Sequence, residues 1–257
     1  MASVSGSLTV IGLGPGAEDQ VTPEAAQALG LANVVYGYGP YLDRVPVRQG
    51  QRREASDNRE EIGRATQAIL DAIAGARVAV VSGGDPGVFA MAAAICEALE
   101  RGPPQWTDLD LVVVPGITSM LAVAARVGAP LGHDFCALSL SNNLKPWPVI
   151  ERRLTAAASV GFAIALYNPT SRARPWQLKR AFELLSAELP PVTPVVFGRG
   201  VGRANERIVV TTLHAAADCE ADMATCILIG SAETRLVQRP GRPPLVYTPR
   251  SLGAAIT

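Results

Sequence analysis

The sequence has little of what a metal site, a disulfide framework or a membrane anchor requires. Its 257 residues include four cysteines and two histidines, and the cysteines are far apart, with no C-x-x-C pair. This spacing argues against a metal cluster and favours reduced thiols that pack as small hydrophobes. No apolar run approaches the ~20 residues that span a bilayer, and the first residues lack the pattern of a signal peptide. We therefore expect a cytoplasmic protein with no metal and no membrane contact.

An excess of charge of one sign is also absent. Lys plus Arg and Asp plus Glu both number 23, so the net charge is zero. This balance argues against a field that attracts nucleic acid, and we expect no nucleic-acid partner. The charge is uneven only locally: residues 145–207 contain ten Lys or Arg and four Glu, an excess of six positive charges. Such a segment suits a polyanionic small ligand.

Strands and helices alternate in the first half, and three strands end in glycine-rich turns. The turns are Gly12–Gly16, Ser82–Gly87 and Pro115–Ser119, and each follows a continuous apolar run. Such runs are typical of parallel strands buried on both faces. Small ligands bind at strand ends of open α/β sheets, where backbone without side chains approaches them closely. The three turns therefore predict one shared site, and an enzyme with a bound cofactor.

The pattern changes near residue 134. Later strands are predicted at about 135–141, 162–167, 193–197, 207–212 and 226–230, with little helix between the third and fourth. This arrangement is typical of a mixed sheet, so we predict two α/β domains, 1–134 and 135–257. The polar segment 49–58 predicts irregular structure, and the prolines at 243, 244 and 249 predict a tail.

The first turn differs from the commonest glycine-rich loops. A dinucleotide fingerprint reads G-x-G-x-x-G and opens directly into a helix. Here the spacing is G-x-G-P-G, and the helix is predicted to begin only at Pro23, with Thr22 as its N-cap. No Lys-Ser/Thr follows the glycines, as a P-loop requires. The pattern disfavours a nicotinamide oxidoreductase and predicts a ligand without phosphates.

Asp85 in the second turn has two interpretations. Pro86 favours an extended conformation at Asp85, which places the carboxylate at the mouth of the sheet. There it either caps the next helix or faces a ligand.

Several motifs, in order along the chain, resemble the tetrapyrrole (uroporphyrinogen, precorrin and corrin) methyltransferases, which use S-adenosylmethionine. They are V-I-G-L-G-P-G from Val10, S-G-G-D-P-G-V-F from Ser82, V-P-G-I-T-S from Val114, L-S-L-S from Leu138 and L-Y-N-P from Leu166. The resemblance implies an α/β tetrapyrrole methylase fold: a parallel-sheet N-terminal domain, a mixed-sheet C-terminal domain and the cofactor in the cleft between them. It also implies a homodimer and a polycarboxylate tetrapyrrole substrate.

Three further segments resemble the ring-contracting C17-methyltransferases of cobalamin synthesis. They begin at Tyr167, Gly198 and Gly230. The implied reaction needs no protein nucleophile, because the methyl group is already activated on a sulfonium, and positioning does most of the work. Alternatives are the anaerobic counterpart acting on a cobalt-containing ring, another ring position, a ribosomal RNA methyltransferase of the same fold, and a nonenzymatic ligand-binding module.

The resemblance also implies site residues. Cofactor contacts are expected at Gly12, Gly14, Pro15, Gly83, Gly84, Asp85, Val88, Phe89, Thr118, Ser119, Tyr167, Asn168, Pro169 and Thr225. Substrate contacts are expected at Arg59, Ser141, Asn142, Arg172, Arg174, Arg199 and Arg203. Ring contraction calls for a general acid or base, with Asp85 the first candidate, followed by Asp57 and Glu206. The resemblance also implies an acid at position 142, where this chain departs from the pattern with Asn142.

Overall fold

The computed structural model describes residues 6–57 and 59–251. The chain divides into two compact units, Met1–Thr118 and Ser119–Thr257. The boundary lies before the expected residue 134 because helix Ser119–Val127 packs with the second unit. Val123 of this helix is fully buried, and its Cγ2 lies 2.2 Å from where a Cβ on Gly198 would stand.

The first unit alternates strands and helices, as the sequence predicted. Its elements are β1 (Ser7–Gly12), α1 (Pro23–Leu31), β2 (Val34–Tyr38), α2 (Gly39–Leu42), β3 (Arg52–Ser56), α3 (Glu61–Ile73), β4 (Arg77–Ser82), α4 (Met91–Arg101) and β5 (Asp110–Val114). The strand order is β3-β2-β4-β1-β5, and every pairing is parallel. The predicted cap of α1 is confirmed, since Ala25 N donates to Thr22 Oγ1 at 3.1 Å.

The central strands of this sheet are buried on both faces, which explains their continuous apolar runs. For the edge strand β5 the expectation of burial on both faces is wrong, since Val112 and Val113 are 44% and 45% exposed. In β4, Val78 and Val80 pack in the core shared with α3 and α4. The intervening Ala79 and Val81 pack in the core that contains α1 residues on the other face. Neighbouring side chains of a strand point to opposite faces, so a strand covered on both sides has no polar alternation.

Strand β3 corrects the expectation of irregular structure over 49–58. It pairs with β2, from Val34 with Arg52 to Tyr38 with Ser56, and it is an edge strand of the sheet that the described residues form. Its sequence, R-R-E-A-S, is partly exposed and polar. Edge strands commonly carry charged side chains, so the apolar pattern that revealed the other strands was missing here.

The second unit contains a mixed sheet, as predicted. Its elements are α5 (Ser119–Val127), β6 (Gly128–Ala129), β7 (Phe135–Ser139), α6 (Trp147–Ser159), β8 (Ala163–Tyr167), α7 (Gln177–Glu188), β9 (Pro194–Arg199), β10 (Arg207–Thr212), β11 (Thr225–Ile229), β12 (Arg235–Arg239) and β13 (Arg242–Tyr247). The order β10-β9-β11-β8-β7 joins three antiparallel pairs and one parallel pair, β7 with β8. Residues of α6 and α7 build the core on one face.

The expected proline-rich tail is wrong for Arg242–Tyr247, which form β13 and pair with β12 and β6. Val237 pairs with Leu245 and Arg239 with Arg242, so the ladder is irregular next to Pro243 and Pro244. Proline is tolerated at such irregularities because it has no N–H to donate. Residues 252–257 lie outside the described residues. No described helix is long and apolar enough to cross a membrane.

Candidate active site

The three glycine-rich turns meet at one edge of the first sheet. They follow β4, β1 and β5, which are adjacent parallel strands. Gly14 and Gly84 exchange two backbone hydrogen bonds, of 3.1 and 2.9 Å. A Cβ on Gly116 would lie 2.3 Å from Gly84 O, and one on Gly12 would lie 2.7 Å from Gly116 N. The turns approach this closely because Cβ atoms are absent.

Asp85 links two of these turns. Its Oδ1 accepts from Gly87 N at 2.8 Å, and its Oδ2 accepts from Gly116 N at 3.1 Å. Helix α4 begins only at Met91, whose N–H donates to Ser82 Oγ at 3.3 Å. The interpretation of Asp85 as a cap of this helix is therefore wrong. The half-buried carboxylate cross-links the backbone, and its role toward a ligand stays a prediction.

The second turn continues beyond Gly87 to form the longer Ser82–Phe89 turn, in which Phe89 has an unusual backbone. Its φ is +52°, and its side chain is 49% exposed. A non-glycine residue at positive φ is strained, and such residues cluster at ligand sites. Phe89 follows the half-buried Val88. Both remain predicted cofactor contacts, and they lie on the turn that Asp85 anchors.

Arg44 supports the first turn and was missed by sequence reasoning. Its Nη2 donates to Leu13 O at 2.5 Å and to Gly14 O at 3.0 Å. These contacts fix the backbone just before Pro15, which is buried. Nothing in the local pattern marks Arg44, because it belongs to a loop after α2 that is distant in sequence from the turn.

Asp57 and Arg59 follow the edge strand β3 and are both exposed. Asp57 N donates to Glu60 Oε2 at 3.2 Å, and Arg59 N donates to Asp57 Oδ1 at 3.3 Å. These two side-chain to backbone bonds close the turn just before α3. Buried Arg64 lies beneath this turn and donates from Nη2 to Asp57 O at 2.6 Å. Asn58 lies outside the described residues.

In the second unit, Asn168 has a strained backbone, with φ of +51°. It directly follows Tyr167, the last residue of β8, whose hydroxyl accepts from Met120 N at 3.1 Å. Asn168 Nδ2 donates to Ser139 Oγ at 2.9 Å, across the ends of the parallel pair β7 and β8. Arg174 Nη1 donates to Asn168 O at 3.2 Å. The side chains of this loop thus hold one backbone conformation ahead of the buried Pro169.

The candidate substrate arginines differ in their surroundings. Arg174 is 7% exposed, and burial lowers its pKa. Its buried side chain stabilises the loop after β8 through the bond to Asn168 O. Arg199 Nε donates to Asp222 Oδ2 at 2.8 Å. Arg172 and Arg203 are exposed. Of the four, Arg172 is the exposed arginine with no pairing group among residues 6–57 and 59–251.

Thr225 belongs to the network around Asp222. Its buried hydroxyl donates to Asp222 Oδ1 at 2.9 Å. Burial tends to raise the pKa of Asp222, but hydrogen bonds from Thr225 and Arg199 outweigh it and lower that pKa. The ionised carboxylate fixes the Thr225 side chain, and the expected contact of Thr225 with the cofactor stays a prediction.

Glu206 is held in an ion pair. Its Oε1 and Oε2 accept from Arg126 at 2.6 and 3.2 Å, and Gly202 N donates to it at 2.7 Å. The hydrogen bonds from Arg126 hold the pKa of Glu206 below its usual range. A carboxyl group stabilised as its anion is a weak proton donor at neutral pH.

Ser141 and Asn142 lie just beyond β7. Ser141 N donates to Ser139 Oγ at 3.3 Å, and exposed Asn142 has its Oδ1 3.5 Å from Nε2 of the buried Gln177. The second contact orients the Asn142 amide with its nitrogen away from the core. Within the part of the chain that the structure describes, no group of three or more His, Cys, Asp or Glu has a geometry that holds a metal ion.

Comparison with known proteins identifies the fold. The sequence profile of the tetrapyrrole (corrin/porphyrin) methylases matches residues 7–217. The chain belongs to this family. The resemblance carried by the glycine-rich turns is thereby confirmed, as is the two-part α/β fold.

Individual relatives show which members of the tetrapyrrole methylases this chain resembles. A precorrin-3B C(17)-methyltransferase of Sinorhizobium sp is 61% identical over 252 residues, covering 98% of this chain and 99% of the relative. A probable cobalt-factor III C(17)-methyltransferase of Salmonella typhimurium is 39% identical, covering 95% and 98%. The crystal structure of the methyltransferase CobJ is 49% identical, with a TM-score of 0.89, and covers 95% of this chain and all of that chain. The chain is therefore a methyltransferase.

Proposed function

We propose that this methyltransferase transfers a methyl group from S-adenosylmethionine to C17 of precorrin-3B and contracts the ring to precorrin-4 in cobalamin biosynthesis. The observation that carries the proposal is the 61% identity, along both whole chains, with a protein named for this reaction. The cobalt-factor III enzyme is the second candidate, and its weaker 39% identity favours the metal-free substrate.

The turns of the first unit have the chemistry that the cofactor requires. Asp85 uses one acceptor position on each oxygen for Gly87 and Gly116, and a carboxylate has further lone pairs. We assign them to the ammonium of the methionine moiety. The exposed Phe89 offers an apolar surface beside it. When bound, the sulfonium supplies an activated methyl group, and the protein orients the acceptor carbon.

Ring contraction needs a proton donor or acceptor, and the surroundings of the three candidates favour Asp57. Glu206 is paired with Arg126, and Asp85 has both oxygens bound to backbone N–H groups. Asp57 is exposed, and its Oδ1 accepts a long bond, of 3.3 Å, from Arg59 N. We therefore place Asp57 ahead of Asp85, reversing the order expected from the sequence.

The carboxylates at the rim of the substrate require hydrogen-bond donors whose positive charge is not balanced by an acidic side chain of the protein. Arg59 and Arg172 have exposed side chains, and the Asn142 amide nitrogen points away from Gln177. Guanidinium groups bind carboxylates with two parallel hydrogen bonds. We assign these residues to the rim, with Ser141 and Arg203 beside them. Arg174 and Arg199 are assigned a structural role, because their side chains donate to Asn168 O and Asp222 Oδ2 of the protein itself. The proposal includes a homodimer in the cytoplasm.

The test is turnover by the purified protein. It is incubated with S-adenosylmethionine and precorrin-3B, and product mass and visible spectrum are followed. A gain of one methyl group together with the spectrum of a contracted ring supports the proposal. Methylation without contraction keeps the family and removes the specific assignment. Turnover with cobalt-factor III but not with precorrin-3B moves the protein to the anaerobic pathway.

Two variants assign the acid-base role in the same assay. Asp57→Asn is expected to methylate precorrin-3B and to stall before contraction. Asp85→Asn is expected to raise the KM for S-adenosylmethionine while contraction follows each methyl transfer. The opposite pattern would return the role to Asp85.

A further inference from the structure

Arg64 is a charged side chain in the core of the first unit that the reaction as described does not use. The residue lies on α3 and is 4% exposed. Burial lowers the pKa of Arg64, while the nearby carboxylates of Glu61, Glu60 and Asp57 oppose the shift. Burying a guanidinium is costly unless its donors are satisfied. The acceptors of these hydrogen bonds therefore indicate which segments of the first unit the buried guanidinium holds together.

The hydrogen bonds of Arg64 reach two different loops. Nε donates to Ser56 Oγ at 2.7 Å and Nη2 to Asp57 O at 2.6 Å, on the turn after β3. Nη1 donates to Met91 Sδ at 3.1 Å, at the first residue of α4. Met91 in turn donates its N–H to Ser82 Oγ, at the start of the turn that holds Asp85. One rigid planar group thus joins the Asp57 turn to the far end of the Ser82–Phe89 turn.

We infer that Arg64 is a positioning residue that couples cofactor binding at the Ser82–Phe89 turn to the placement of Asp57. The inference rests on the proposed function, which assigns cofactor binding to the Ser82–Phe89 turn and proton transfer to Asp57. A ligand that restricts the Ser82–Phe89 turn therefore also restricts, through Arg64, the conformations of the Asp57 turn. Coupling between two sites is reciprocal and typically amounts to about 5- to 150-fold in affinity.

Substitutions can separate this coupling from stability. Arg64→Met removes the donors and keeps an unbranched apolar chain. Arg64→Lys keeps the charge, but one ammonium does not span acceptors on two loops. Met91→Leu removes only the sulfur acceptor, with little change in volume. Arg53→Met is the control, because it removes a guanidinium from the same unit whose hydrogen bonds go to the backbone oxygens of Val45 and Leu42.

The measurement is the dissociation constant of S-adenosylhomocysteine by calorimetry, with and without saturating precorrin-3B. We expect at least about fivefold tighter binding with precorrin-3B in the wild type. The ratio of the dissociation constant without precorrin-3B to the one with it should fall to near one in Arg64→Met and Arg64→Lys. It should be reduced in Met91→Leu. Arg53→Met should keep it. In turnover, the Arg64 variants should lose contraction relative to methylation.

Two results would overturn the inference while leaving the proposed function intact. One is wild-type binding of both ligands with a ratio of one. The other is an unchanged ratio in Met91→Leu and Arg64→Lys. Failure of the wild type to bind S-adenosylhomocysteine at all would overturn the proposed function itself. Because Met91→Leu changes no charge, it still decides the matter if the Arg64 variants do not fold.

Discussion

Asp85 Oδ2 accepts a hydrogen bond from Gly116 N at 3.1 Å, across two turns that are separated by a helix and a strand of sequence. The same carboxylate closes its own turn through Gly87 N at 2.8 Å. A single side chain therefore fixes the relative position of two turns at the carboxyl edge of the sheet. Stability and ligand affinity should consequently respond together when it is altered.

Asp85→Asn should lower both the free energy of unfolding and the affinity for the cofactor. The amide keeps one acceptor, but its NH₂ group then faces a backbone N–H, so one charge-assisted bond is lost at a cost of about 1–3 kcal/mol. Urea denaturation gives the free energy of unfolding, and calorimetry gives the affinity for S-adenosylhomocysteine. Asp108→Asn, an exposed change in the same unit, is the control. A loss of affinity with unchanged stability would show that Asp85 acts on the ligand alone.

Gly116→Ala should be strongly destabilising. The new Cβ would lie 2.3 Å from the backbone oxygen of Gly84, and neither backbone can move without disturbing Gly12. Gly63→Ala on α3 is the matched control, since nothing lies within 4 Å of its Cβ position. Replacing that exposed helical glycine should add about 0.5–1 kcal/mol. Equal melting temperatures for the two variants would contradict the close packing of the turns.

Glu206→Gln should lower stability at neutral pH and leave methyl transfer and ring contraction intact. A partly exposed ion pair contributes about 0.2–1 kcal/mol. Because Arg126 lowers the pKa of Glu206 below 4.5, this contribution is present above that pH and is lost as pH falls through the lower folded-state value. The difference in unfolding free energy between wild type and variant should therefore shrink in acid. A collapse of kcat at neutral pH would restore Glu206 as a catalytic candidate.

Arg172→Gln should raise the KM for the tetrapyrrole about tenfold, the effect of losing one charged hydrogen bond, without changing stability. Arg199→Gln should instead lower the stability, because Asp222 loses a partner at 2.8 Å. Steady-state kinetics and thermal unfolding of the two variants make the comparison. If Arg199→Gln raises KM at unchanged stability, the assignment of Arg199 to support is wrong.

The sequence predicted the strands that are buried on both faces, because a run such as Val78–Val81 has no polar alternation. It missed β3 because an edge strand with one neighbour carries polar residues, here Arg52 and Glu54. It misread Arg242–Tyr247 because prolines argue against strands, although an irregular ladder accommodates them. These errors share a cause: pairing partners distant in sequence decided the structure.

The candidate site was predictable to the level of its turns but not of its contacts. The apolar runs placed Gly12, Gly84 and Gly116 at strand ends, and the parallel sheet brought them together. The partner of Asp85 was not readable, since Gly116 belongs to another turn. Arg64 was missed because an arginine among Glu60 and Glu61 at a helix start resembles a solvated face. Its burial becomes visible only in three dimensions.

Strand β1 is synthesised well before β4 and β5, the two strands between which it lies. Ser7 pairs with Arg77 on one side and with Asp110 on the other. During translation, Val10 and Ile11 therefore have no completed sheet to enter until β5 has left the ribosome. Pairings of such sequence separation slow folding and prolong the exposure of apolar segments. The nascent first unit should depend on chaperones until residues up to about 114 have emerged.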